Sequence, residues 1–200
     1  MEDRMTARPY AALPLAAALS GAFLLPALAD PVDGAAAAQQ LYRADRVEVA
    51  RYSVDGLDAT HVAVLTQIVQ EQKYFGAVAI APDEGILSET TVMAANYHSI
   101  PAARAAALAE CNTRRSGGTA CAVIMEVRPA GFQPRDLTMS ADATEAFGRD
   151  YRRASGPRAM ALSPSTGQWG IGRGGAAQAD AIAACAGDGD AADCVVVIAD

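Results

Sequence analysis

At 200 residues, with 52% hydrophobic and 20% charged side chains, the chain has the length of one ordinary domain able to bury a sizeable core. Its 16 Lys+Arg against 23 Asp+Glu give a formal charge of −7, which argues against a nucleic-acid partner, because phosphates demand a basic face. The single lysine is Lys73, and the densest cationic cluster, Arg149, Arg152 and Arg153, reads as a solvated helix face.

In chain order, the first landmark is a targeting segment. Arg4 and Arg8 precede an apolar run from Tyr10 to Leu28 that closes on Ala27-Leu28-Ala29. A basic start, an apolar middle and a small-residue end are the parts of a secretory signal peptide. Residues 1–29 are therefore expected to be removed before Asp30, with Met1 or Met5 as the start. Pro14, Ser20, Gly21 and Pro26 interrupt the run and disfavour a retained anchor. The mature chain, 30–200, is expected to form a single domain in the periplasm or outside the cell, with no stable membrane insertion.

Residues 30–73 hold N-terminal helices and a strand. Asp33 to Arg43 reads as a short helix capped by Asp33, and Val47 to Tyr52 alternates like a strand. Asp55 to Asp58 open a longer helix to about Gln72. There Leu57, His61, Val64, Leu65 and Ile68 recur at helical spacing, which places His61 along the partly buried face.

Two similar units follow. In 74–128, an apolar strand (Gly76 to Ala81) ends in a Pro82-to-Gly85 turn and returns along Ile86 to Tyr97. Pro101 then stands in the first turn of an alanine-rich helix ending at Cys111, with Ser99 or Ile100 as its cap, and Cys121 starts a strand. After a connector, 129–157, in which Ser140 caps a helix carrying Phe147 and Tyr151 four apart, residues 158–200 repeat the pattern. Pro164 and Gly167 hold the turn, Trp169 to Arg173 return, Ala176 to Cys185 form the helix, and Cys194 starts the last strand. Leu108 and Ile182 stand at corresponding positions as the expected hydrophobic anchors. The fold class is α/β or α+β: two pseudo-symmetric β-β-α-β units sharing one core, with strands near 47–52, 75–81, 90–97, 121–128, 158–163, 168–172 and 194–199.

All four cysteines fall within these units. Export permits disulfides, and of the three connectivities the favoured one is Cys111–Cys121 with Cys185–Cys194, because each pair ties a helix end to the strand after it. Zinc is disfavoured because neither pair has the short C-x-x-C spacing of a structural site, and no metal or cofactor is expected.

The strand, Pro/Gly turn, aromatic-bearing return strand, alanine-rich helix and Cys-started strand together resemble the secreted bacterial domain of unknown function 4189, present in tandem. Trp169-Gly170 supplies the aromatic-glycine piece in the second unit, and Asn96-Tyr97-His98 stands in for it in the first. The resemblance covers about half of the mature chain. It implies export, disulfides and fold, and brings no catalytic residues. Relatives of that domain sometimes carry the label 5-aminolevulinate synthase. The residues argue against that activity, since pyridoxal phosphate needs a Schiff-base lysine and Lys73 stands alone before a core strand.

Function is less legible. Asn96, Tyr97 and His98 lie where a strand meets a helix start, with Asp83 and Glu84 on the turn at the other end. No serine stands in a G-x-S-x-G elbow. Asp188, Asp190 and Asp193 lack the distal glutamate of a calcium loop and read as a solvated loop. The favoured expectation is a non-catalytic envelope protein binding an unknown envelope protein or small ligand through Asn96, Tyr97, His98 and Trp169. The alternative is a small hydrolase-like enzyme using His98 with an acidic neighbour.

Overall fold

The computed structural model describes residues 30–54, 57–189 and 191–200. The leader assigned to residues 1–29, and Asp190 of the acidic loop, lie outside them. The fold is α+β. Helix α1 (Gly34–Gln40), strand β1 (Val47–Arg51) and helix α2 (Ala59–Gln70) precede the first unit, β2 (Gly76–Ile80), β3 (Val92–Ala94), α3 (Ile100–Arg114) and β4 (Ala122–Pro129). The connector carries α4 (Ala141–Ala146), prolonged by a π-helical turn, Phe147–Tyr151. The second unit is β5 (Arg158–Leu162), β6 (Trp169–Arg173), α5 (Ala177–Ala186) and β7 (Val195–Ala199).

The helix starts follow the capping residues. The Asp33 side chain accepts from the Ala36 N–H, Asp58 from Thr60 and His61, Ser99 from Ala102 and Ser140 from Ala143, each satisfying donors that a helix leaves open. Phe147 and Tyr151 stack with ring centroids 5.3 Å apart.

Two antiparallel sheets carry the units, in the orders β1-β4-β2-β3 and β6-β5-β7. With β1 set aside, both place the unit's first strand at the centre, its hairpin partner on one side and its last strand on the other. The match extends to a bulge. Val78 faces Met125 and Ala79 faces Val123, leaving Ile124 extra; Met160 faces Ile198 and Ala161 faces Val196, leaving Val197 extra. A bulge shifts the side-chain parity of its strand, so both last strands change face at the same point.

The expected common core resolves into four buried clusters, one on each face of each sheet. Ala103, Ala107 and Cys111 of α3 lie on Ala77 and Ala79, and Ala177, Ala181 and Cys185 of α5 on Ala159 and Ala161. Of the two anchors named from the sequence, Leu108 packs against this cluster half-buried, whereas Ile182 is 41% exposed and stands outside the contact. Small side chains face the sheet because helix and sheet backbones nearly touch. A Cβ on Gly170 would lie 2.3 Å from the Cys185 nitrogen, and one on Gly172 1.9 Å from the Ala177 oxygen. The disulfides Cys111–Cys121 and Cys185–Cys194 then clip each helix to the segment that enters the next strand.

The N-terminal segment serves both halves. Ala37 of α1 packs into the cluster of the second sheet, Tyr42 into that of the first, and β1 pairs with β4. On α2 the buried side is Val62, Leu65 and Val69, whereas His61, Val64 and Ile68 are exposed. His61 is thus on the surface, one helical position away from the face inferred for it.

Candidate functional site

Of the residues singled out from the sequence, Asn96 and His98 lie where the two units meet and are committed to holding that seam. Asn96 has a left-handed φ of 64°, which asparagine tolerates better than most residues. Its side chain exchanges hydrogen bonds with the α4 start: Nδ2 donates to Asp142 Oδ2 (2.9 Å), and the Asp142 N–H donates to Asn96 Oδ1 (3.2 Å). Opposite, a Cβ on Gly167 would stand 2.4 Å from the Asn96 carbonyl oxygen, so only glycine lets the second unit's turn approach so closely.

His98 is 4% exposed. The Ser140 N–H donates to Nδ1 (3.0 Å), and Nε2 lies 2.8 Å from the Gln168 carbonyl. An acceptor at Nδ1 and a carbonyl at Nε2 fix the neutral tautomer with its proton on Nε2. Burial lowers its pKa below the usual 6.5, against the pull of the Gln168 carbonyl and Asp193. The imidazole therefore bonds the connector and the second unit through backbone groups on both nitrogens. Both ring nitrogens are thus engaged, while the ring itself borders an apolar cleft.

Tyr97 and Trp169 do not share a face. Tyr97 packs against the α3 cluster, and Trp169 against the cluster of Met160, Leu162 and Ile198. Trp169 is also not the counterpart of Tyr97. Register pairs Val92 and Ala94 with Ala79 and Ala77, as Gly170 and Gly172 pair with Ala161 and Ala159. That equates Thr91 with Trp169 and leaves Asn96-Tyr97-His98 beyond the hairpin. The first return strand is accordingly shorter than 90–97.

The acidic residues brace loops. The Thr119 N–H donates to Asp83 (2.6 Å) and the Ser116 N–H to Glu84 (3.1 Å), and these backbone donors lower both carboxyl pKa values. Asp193, expected in a solvated loop, accepts from the Ser163 hydroxyl and the Ser165 N–H (2.9 Å). Among the described residues no group of three His, Cys, Asp or Glu side chains could hold a metal. Lys73 pairs with Asp142 at the surface.

The sequence reading missed Glu126. It is fully buried, with Oε1 2.7 Å from Arg104 Nη1 and Oε2 2.8 Å from Arg128 Nε. Arg128 also donates to the Tyr52 hydroxyl (2.9 Å). Two half-open guanidinium groups thus seal one carboxylate beneath α3, a structural brace that compensates for its burial.

Between these braces lie three apolar clefts. One of about 270 Å³ is lined by His98, Asp136, Leu137, Leu162, Val195 and Val197 among others. It shares Ser99 and Pro164 with a shallow cleft of about 530 Å³ along the alanine side of α3. It shares Val195 and Val197 with one of about 400 Å³ beside Asp30 and Ile182. Among the described residues no helix is long and apolar enough to cross a membrane.

No family model matches the chain, and no curated protein or solved structure matches it either.

Proposed function

We propose that this is an exported, disulfide-bonded envelope protein that binds a partner and carries out no catalysis. Several features support the reading: the leader-like segment before Asp30, the two cystines that an oxidising compartment sustains, and the unit pattern resembling a tandem copy of the domain of unknown function 4189, with internal duplication as its origin. The observation that carries it is the apolar cleft at the seam, walled by Leu137, Leu162, Val195 and Val197. Concave apolar surface flanked by a few polar groups is the usual form of a binding site. Of the four residues expected to form the binding face, His98 borders this cleft, while the polar side-chain groups of Asn96 and His98 are bonded across the seam.

Amide hydrogen exchange of the oxidised protein with and without a detergent-free envelope extract tests this. Slower exchange confined to residues 136–138 and 195–197 is the expected result, and unchanged rates there refute the reading. Intact mass of the exported protein, with and without reductant, checks removal of residues 1–29 and the two cystines together.

A further inference from the structure

The second sheet ends at β7, whose inner side pairs with β5. On the outer side Val32 makes an isolated parallel bridge to Ile198. Its N–H donates to the Val197 carbonyl and its carbonyl accepts from the Ala199 N–H, both at 3.0 Å. Upstream of that bridge, Val195 and Val196 carry no further strand among the described residues, and Asp30 and Pro31 border them across a cleft. An open edge of this kind is a template for an added strand.

The clefts lie on both sides of this edge. Val195 and Val197 line the cleft beside Ile182 and also the one beside Leu137 and Leu162. Successive side chains of a strand point to opposite faces, so a strand laid along β7 would deliver alternate residues to the two clefts. The charged side chains lining the three clefts are Asp30, Asp136 and Asp193, with no lysine or arginine, and cleavage before Asp30 would offset its carboxylate with the new α-ammonium. Asp193 is held by Ser163 and Ser165. Asp136 is exposed and makes no hydrogen bond or ion pair with the described residues.

From this edge and its charge we infer that β7 accepts an extended apolar peptide bearing basic residues, which joins the sheet as a further strand and pairs a cation with Asp136. The inference rests on the binding reading above and names its partner. Val32 already demonstrates the backbone pairing at one end of the strand, and the exposed Asp136 carboxylate selects a basic residue in the occupant.

The test titrates the full oxidised chain with a fluorescein-labelled nonapeptide of alternating valine and threonine ending in lysine at both sides, followed by polarisation and amide NMR. Saturable binding is expected, with shifts at Val195 to Val197, about tenfold weakening when glutamate replaces the lysines, and loss of binding when alternate peptide amides are methylated. Asp136→Lys is expected to leave the circular dichroism unchanged and to reverse the lysine-over-glutamate preference. Equal affinity for both peptides, survival of binding after methylation, or no binding each overturns the inference. Absent peptide binding combined with extract protection at 136–138 and 195–197 overturns strand addition alone, whereas absence of both overturns the binding reading as well.

Discussion

Replacing His98 by alanine removes two bonds across the seam at once. The Ser140 N–H, on a fully buried residue, loses its acceptor, and a buried donor left unpaired costs about 1–3 kcal/mol. The Gln168 carbonyl keeps the Ser163 N–H as a donor at 3.0 Å, so its loss of the imidazole costs little. The missing ring leaves a void of about 1–2 kcal/mol, for a total of about 2–5 kcal/mol, against a typical stability of about 5–15 kcal/mol. His98→Asn keeps an acceptor near Nδ1 and is expected to lose less. The pH dependence has a definite sign. Burial holds the folded pKa below 6.5, so the unfolded chain takes up the proton first. Stability is complete above about pH 6.5 and falls as the pH drops toward the folded value, by at most about 1.4 kcal/mol per pH unit for one proton. Urea unfolding followed by circular dichroism at about pH 7.5 and about pH 5.5, a range in which histidine titrates, measures both effects. His61→Gln, at an exposed position, serves as the control. A cost below about 1 kcal/mol for His98→Ala, or an unchanged pH slope in His98→Asn, would refute the cross-link assigned to this imidazole.

Removing either disulfide with a paired Cys→Ala substitution is expected to cost about 2.5–3 kcal/mol, the chain-entropy value for a loop of about ten residues. Chemical denaturation checks this, and a loss confined to one pair would contradict the equivalence of the two clips. Gly172→Ala is expected to force α5 off its sheet, because the new Cβ would fall 1.9 Å from the Ala177 oxygen, and to cost at least about 1–3 kcal/mol. At the matching position of the first unit, Ala94→Gly is expected to cost no more than about 1 kcal/mol. Thermal melts of the two variants that come out alike would show that the helix-to-sheet spacing is not set by these glycines.

Much of this architecture was legible in the sequence because local chemistry controls it. Asp33, Asp58, Ser99 and Ser140 cap helices as their types imply, and the strands lie close to where alternation and turn residues put them. The cysteine pairing followed from position within each unit. Errors arose where a phase had to be chosen. On α2 the buried face runs through Val62, Leu65 and Val69, and a one-residue rotation was enough to misplace His61. In β4 the extra residue at Ile124 shifts parity, so simple alternation gives no hint that Glu126 turns toward α3. The seam was hidden for a different reason: His98 meets Ser140 and Gln168 at separations of 42 and 70 residues, and its partners are backbone atoms, which leave no mark in side-chain spacing.

The path of the first twenty residues after Asp30 has a consequence for autonomy. One stretch of main chain lends its helix to the far sheet and its strand to the near one, acting as a buckle drawn across both halves. Neither half owns all the pieces that cover its hydrophobic faces. Excising residues 74–128 or 158–200 would therefore yield fragments with an uncovered side rather than two miniature proteins. However alike the halves are, they are expected to unfold together.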